Sequence, residues 1–387
     1  MASLKKQDFY ISLTEKHNVL NSYEALEYNL TKSSFYKSNK EDDVLYEILT
    51  SIRLFPSYLS PTFKHTNTLK IKKIPQDKII GYAINIETKQ NIETFLKNEF
   101  SKKFRSNIKR FLNRFEYCFN ASYKMIYGNI LKDEYSFLMT TLHDMLVTRF
   151  VQRNEKNEIL ENWEYYLEST FSLINSKKAS LFVIYHDSNP VHICVNHHFN
   201  NILFVSIPSY DINFAKFALG NISIYKLLEW SLNNNYIMLD MAYGELEYKR
   251  RWSNHIYSFE HHIIYKTNAL GLKLKANLEI WLIKFKNFLK SKNIDVFIKN
   301  IKKAIKKKNE AQKDFVDFEI EDVTSFNTKN LNTIDSENNI YSIIKKPVYD
   351  FIYKQKIHIN SISIFEIKPQ KEYVLAYKNI YQKIIFL

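Results

Sequence analysis

Apolar positions alternate with period two over residues 80–86, where Ile80, Tyr82, Ile84 and Ile86 are separated by small or polar residues. That spacing predicts a strand. The period becomes helical at 92–100 and again at 101–116. In the latter, Phe104, Ile108, Phe111, Leu112 and Phe115 share one face, and Lys102, Lys103, Arg105, Lys109 and Arg110 the other. Longer helices are predicted at 133–150, with Leu138, Leu142 and Met145 in a stripe, and at 158–175, with Leu160, Trp163, Leu167, Phe171 and Ile174. Three antiparallel strands follow at 179–186, 191–199 and 202–208, joined by the turn residues Asp187 to Pro190 and by Asn200-Asn201. A helix at 221–234 and strands at 236–241 and 259–265 complete the block. The step from the third strand through the helix to the fourth is a βαβ-type crossover. The pattern predicts a mixed α/β (α+β) fold.

The flanks are less regular. Residues 1–70 show weak periodicity, and Pro56 and Pro61 predict loops there. Residues 272–308 are helical and amphipathic, with Leu278, Trp281, Leu282, Phe285 and Phe288 in one stripe and Phe297, Ile301 and Ile305 in another. Residues 314–322 carry five carboxylates, 324–339 read as a polar loop, and a strand is expected through Ile357, Ile359, Ile362 and Ile364.

Composition narrows the class. A hydrophobic share of 45% and an aromatic share of 15% support a large core and exclude a disordered chain. Only Cys118 and Cys194 occur, so neither a disulfide framework nor a Cys-based metal site is implied. No apolar run approaches a membrane span, and the first residues lack a signal-type apolar core. A cytoplasmic protein is expected. The net charge is +14, but residues 271–308 alone hold twelve lysines against Glu279 and Asp295. The excess is therefore local. Such a stretch can lie on the anionic inner face of a membrane, or can be a helix pair packed on the rest of the protein with its lysines solvated.

Most of the candidate chemistry lies in 240–252. An apolar run ends in Asp240, Gly244 follows, and then come Glu245, Glu247, Tyr248, Lys249, Arg251 and Trp252. Only five glycines occur in 387 residues, so one beside clustered polar groups points to a backbone conformation other residues resist. A strand ending in titratable groups suits an active site; a surface salt-bridge cluster has the same pattern. The pairs His197-His198 and His261-His262 are not expected to hold a metal, because neighbours on a strand point to opposite faces.

The order of elements, with the 240–252 motif at its end, resembles the GNAT acyltransferase superfamily. Its Fem-like, CelD/BcsL-type (BioF2-like) acetyltransferase branch is the nearest in pattern. The resemblance rests on the basic helix with Arg105 and Asn107, on Arg149-Phe150, and on Asp240, Gly244, Tyr248-Lys249 and Trp252 in order and spacing. Ala242 stands where the family often has a glycine, and Leu246-Glu247 replaces an acidic-proline pair. The resemblance covers residues 80–265.

This resemblance implies a mostly antiparallel sheet flanked by helices, in a tandem arrangement. A diverged GNAT-like half would span 1–116 and an acyltransferase domain 117–270. Basic helices at 271–310 and a small module of unassigned role at 311–387 would follow. It implies acetyl-CoA or another acyl-CoA as co-substrate, no metal, and an amine acceptor such as an amino sugar or nucleotide-linked sugar of envelope polysaccharide synthesis. The pantetheine would lie along Val205, Ser206 and Ile207. The pyrophosphate would meet free amides at Gly220, Asn221 and Ile222. Asp240 would take the amine proton, with Glu245 and Glu247 as further carboxylates. Tyr248 would protonate the thiolate, and Lys249 would stabilise the oxyanion or bind an anion. Arg251 and Arg105 would bind phosphate or carboxylate, and Glu245 and Trp252 would line the acceptor side. Each has a plainer reading: a capping Asp, a core Tyr or Trp, a solvated Lys. Two other functions share the fold: transfer from aminoacyl-tRNA, with the basic helix on RNA, and a non-catalytic binding protein.

Overall fold

Strands from the first ninety residues are completed by strands that arrive 150 or more positions later. The computed structural model describes residues 4–38, 49–64, 69–86, 90–244, 246–266, 269–292, 317–327, 331, 333–335 and 339–387. The chain opens with β1 (Leu4–Asp8), α1 (Phe9–Thr14), β2 (Tyr23–Tyr28), β3 (Ser34–Lys37), β4 (Leu49–Pro56), β5 (Leu59–Phe63) and β6 (Leu69–Asn85). Next come α2 (Ile92–Glu99), α3 (Lys102–Cys118), β7 (Ala121–Ile126), α4 (Lys132–Arg153), α5 (Glu158–Glu161) and α6 (Trp163–Asn175). The hairpin strands β8 (Ala179–His186), β9 (Asn189–Phe199) and β10 (Ile202–Tyr210) lead through a 3-10 stretch, Ile212–Phe217, to α7 (Leu219–Asn233). Then follow β11 (Met238–Tyr243), α8 (Glu247–Trp252), β12 (His255–Lys266) and α9 (Leu270–Ser291). The last elements are β13 (Phe318–Val323), α10 (Lys345–Gln355), β14 (Ser363–Lys368), β15 (Glu372–Tyr377) and β16 (Ile380–Phe386).

Two units form, each from three stretches: Met1–Lys89, Asn196–Ser206 and Ser231–Glu310 in one, and Gln90–Val195, Ile207–Trp230 and Ala311–Leu387 in the other. The contiguous segments drawn from the sequence do not follow this division. Pairing between distant strands leaves no local trace in hydrophobic periodicity, so boundaries set by composition fall elsewhere.

In the first unit β6 is the central strand. It pairs antiparallel with β12, from Lys266↔Leu69 to His255↔Ala83, and with β11, from Met238↔Asn85 to Tyr243↔Gly81. The order runs β1-β4-β12-β6-β11, and a smaller sheet runs β3-β2-β5. Phe9, Tyr23, Phe55 and Phe63 pack ring on ring, with centroids 4.6–5.4 Å apart. On another side Leu272, Ala276 and Ile283 of α9 cover Ile74, Ile263 and Tyr265. The loops expected at Pro56 and Pro61 are strand positions. Pro56 ends β4, and Pro61 sits in the edge strand β5, where a missing N–H is tolerated.

In the second unit β7, β8 and β9 lie side by side. Leu138, Leu142 and Leu146 of α4 and Ile174 of α6 pack on Leu181, Val183, Ile193 and Val195. The continuous helix expected over 158–175 breaks at Asn162, whose side-chain amide donates to the Glu158 carbonyl at 2.8 Å. Such local bonding competes with the helical ladder. The strand expected through Ile357 and Ile359 is instead a 3-10 turn at Ile359–Ser361, and β14 begins only at Ser363. There the His358 ring accepts from the Asn360 N–H. The C-terminal strands form an antiparallel sheet, β13-β16-β15-β14. Tyr349 of α10 packs on Phe119 and Phe214 at 5.2 and 4.5 Å.

One glycine fixes the middle of the first unit. Gly81 of β6 is paired with Tyr257 of β12, and a Cβ placed on it would sit 2.2–2.7 Å from that tyrosine ring. The ring therefore lies across the glycine. Gly81→Ala is expected to destabilise the protein by about 2–4 kcal/mol, through overpacking and displaced hydrogen bonds. In a Tyr257→Ala background most of that penalty should vanish. Urea denaturation of the four proteins of this double-mutant cycle measures it; equal penalties in both backgrounds would show that the ring is not the cause.

Candidate active site

The crossover predicted between the third and fourth strands brings β10 and β11 together as a parallel pair. Ile202, Leu203 and Phe204 face Met238, Leu239 and Asp240, and among the described residues the parallel register ends there. Beyond it β10 continues through Val205 and Ser206 while β11 bends. The bend has a visible cause. Ala242 takes a left-handed conformation (φ 60°) and Gly244 has φ 108°, and pairing with β6 shifts between Asp240 and Tyr243. Alanine here holds, at a cost of about 1 kcal/mol, a conformation glycine adopts freely.

Asp240 ends the paired run and is fully buried, 0% exposed. Its Oδ1 accepts from the Ala242 N–H at 2.8 Å and from the Tyr257 hydroxyl at 2.8 Å; its Oδ2 accepts from Tyr257 at 2.8 Å and Tyr58 at 3.0 Å. Tyr257 reaches it from β12, two strands away, over the gap that Gly81 leaves in β6. Burial raises the carboxyl to about 6, against the lowering effect of these hydrogen bonds. The buried Tyr10 and Tyr28 hydroxyls also sense its charge. Four tyrosines from separate parts of the chain thus surround one carboxylate. Reading the sequence locally could not find them, because they are separated from Asp240 by up to 230 positions.

Lys249 on α8 is the second perturbed group. Its Nζ donates to the Tyr243 carbonyl at 2.9 Å. Burial lowers it to about 8, and the charge of Asp240 acts in the opposite direction. Tyr243 is exposed and Tyr248 half-buried, so this end of β11 opens to solvent beside Lys249 and not beside Asp240.

The remaining expected residues are placed as follows. Arg251 is exposed and pairs with Glu247 one turn earlier, the geometry of a surface salt bridge. Trp252 is 0% exposed and belongs to the core, which removes it from the acceptor side. Glu245 lies outside the described residues. Val205 and Ile207 are buried, and the Ser206 hydroxyl is 2.8 Å from His197 Nδ1. In the second unit α7 starts at Leu219, earlier than expected, so Asn221 and Ile222 already donate their amides to the Ala218 carbonyl. The free amides expected there are used within the helix. Gly220 keeps open space where a Cβ would be and needs no special conformation. Arg105 is half-buried on α3. Arg149 stacks on Tyr210 at 5.0 Å and, after burial itself, helps to hold the nearby His192 down to about 3.

His198 bonds the Tyr236 hydroxyl, His261 bonds Ser51, and His262 bridges Tyr23 and Glu260. With His197 on Ser206, each paired histidine is engaged by protein groups. Among the described residues no cluster of His, Cys, Asp and Glu is arranged to hold a metal ion.

Residues 102–250 match the family model described as an acetyltransferase (GNAT) domain. Over that stretch the chain is similar to GNAT acetyltransferase domains, with the mixed, mostly antiparallel architecture described above. Comparison with curated proteins gave no match. Similar solved structures include a conserved protein of unknown function from Bacteroides thetaiotaomicron VPI-5482, at 12% identity over 55% of this chain and 69% of that one, TM-score 0.39. L-PGS from Bacillus licheniformis is similar at 12% identity over 59% and 71%, TM-score 0.37. FemX is similar at 9% identity over 59% and 74%, TM-score 0.41. Likeness at this level carries no argument about activity.

The buried pair makes a signed prediction. The Asp240 pKa is raised in the folded state, so its contribution to stability is full below the ordinary value of 3.8 and is lost as pH rises through about 6. Lys249 is depressed, so its contribution is present above 10.5 and is lost as pH falls through about 8. Relative to Asp240→Asn, the native protein should lose about 2–3 kcal/mol across the acidic window. Urea denaturation at stepped pH reads this; parallel curves for the two proteins would place the titration elsewhere.

Proposed function

We propose that this chain is an acyl-CoA-dependent N-acyltransferase, moving an acetyl or other acyl group to an amine. The acceptor class proposed is an amino sugar or nucleotide-linked sugar used in envelope or capsule synthesis. The observation that carries the reading is the parallel β10/β11 pair whose register stops at Phe204↔Asp240. In this reading a pantetheine arm lies along Val205 and Ser206 past that point, and the family match covers the same strands.

In this reading the amine nitrogen attacks the thioester carbonyl directly, the C–N bond forms, and the C–S bond breaks to release the thiolate. Both cysteines are buried, and burial holds Cys118 up at about 11, so neither is a ready acyl carrier. Asp240 is sealed beneath its tyrosines and touches no substrate. It is assigned as a positioning group that holds the Ala242 turn and the charge beneath Lys249. Lys249, lowered to about 8, is assigned as the acceptor of the amine proton, and Tyr248 as the donor of a proton to the thiolate.

A second reading changes the donor to aminoacyl-tRNA. It is favoured by an open groove of about 660 Å³ lined by Ser106, Lys109, Arg110, Asn113, Arg114, Tyr117 and Lys356, the basic face of α3. Phosphate binding there would weaken steeply with salt.

Calorimetric titration with acetyl-CoA should show saturable binding. Absence of binding at high ligand concentration, with salt-sensitive tRNA binding lost in Lys109→Ala/Arg110→Ala, would move the assignment to the second reading. With an acceptor amine that does not itself titrate in the range, kcat/KM should rise through about 8. Lys249→Met should abolish that limb, and Asp240→Asn should move it to lower pH. A limb unchanged in both variants would remove Lys249 as the base.

A further inference from the structure

The helix α9 has two apolar faces, and only one of them is used. Leu272, Ala276 and Ile283 are buried against the first unit's sheet. Polar bonds fix the same face. Ser51 Oγ donates to Glu279 Oε1 at 3.1 Å, Lys6 Nζ lies 3.3 Å from the same oxygen, and Asn287 donates to the Pro75 carbonyl at 2.8 Å. On the opposite face Leu270, Leu274, Leu278, Trp281, Phe285 and Phe288 are each 44–79% exposed. At about 100° per residue these six fall within an arc of roughly 80°. The Trp281 and Phe285 rings stack with centroids 5.3 Å apart and planes 3° from parallel. An exposed apolar patch of this kind marks an interaction surface.

The flanks of the patch identify its partner. Lys273 and Lys284 border one side, Lys275 and Lys286 the other, and all four are exposed. The helix carries one carboxylate, Glu279, and it lies on the buried face. The outward face is thus an apolar stripe between two rows of ammonium groups, with no anion among them. We infer that α9 seats the protein on an anionic lipid surface, with the stripe entering the acyl boundary and the lysines reaching the headgroup phosphates. A second copy of the chain would bring like-charged rows together, which disfavours self-association through this face. Among the described residues no helix is long and apolar enough to cross a membrane, so α9 lies on the surface. This inference does not depend on the acyltransferase reading.

The test is co-sedimentation of the full chain with vesicles of phosphatidylcholine, with or without one third phosphatidylglycerol. Binding is expected to the anionic vesicles and to be at least about tenfold weaker to the neutral ones. Trp281→Ser/Phe285→Ser should weaken anionic binding at least about tenfold, with the thermal melt unchanged. Lys273→Glu/Lys284→Glu should do the same. No binding to anionic vesicles overturns the inference, and so does binding by Trp281→Ser/Phe285→Ser at native strength, which would reduce it to general basic adhesion. Native self-association lost in that variant, without any lipid effect, would assign the face to a second copy.

Discussion

The first unit is organised around a missing side chain. Because Gly81 has no Cβ, the Tyr257 ring can lie across β6 and place its hydroxyl on both oxygens of Asp240 in the next strand but one. That bridge joins β12, β6 and β11 through a buried carboxylate, and Tyr58 adds a fourth segment. A carboxylate without such partners could not be held at zero exposure, since desolvating an unpaired charge costs several kcal/mol. The hydrogen bonds do not cancel that cost, because the carboxyl still rests near 6.

The consequence is electrostatic as much as structural. A carboxylate sealed beneath a strand end still acts on the titration of a neighbouring amine, the buried Lys249 on the following short helix. Burial lowers that lysine and the carboxylate raises it, and the balance near 8 puts its neutral amine within physiological reach. The same bend that lets Asp240 cap the Ala242 N–H ends the parallel register with β10. One turn therefore sets both the end of the β10/β11 register and the surroundings of Lys249.

The charge of the chain is arranged on a different principle. The lysines of α9 flank an apolar stripe, while the basic residues of α3 line an open groove in the other unit. These two basic features thus differ in chemistry. The first is amphipathic, suited to an interface between water and hydrocarbon. The second gathers Lys109, Arg110, Arg114 and Lys356 around one groove, suited to phosphate.

Much of the second unit was legible in the chain itself. Helices α3 and α4 announce themselves by an apolar stripe at helical spacing, and strands β8, β9 and β10 by apolar runs bounded by turn residues, the runs of β8 and β9 being buried on both faces. Asp240 and Lys249 stood out from the clustering of titratable groups after an apolar run. The first seventy residues stayed opaque because β2, β3 and β5 are short and β4 pairs with the late strand β12, so neither period nor turn chemistry accumulates. Trp252 and Arg251 show the limit in the other direction. Both carry suggestive chemistry in sequence, yet one is core and the other is tied to Glu247. By itself the sequence determined the longer helices and strands between α3 and β11 and where ionisable groups concentrate, since those follow from local spacing. The tertiary structure alone decided that Tyr58 and Tyr257 enclose Asp240, that Gly81 makes room for it, and which face of α9 stays outside, because each depends on contacts between residues far apart in the chain.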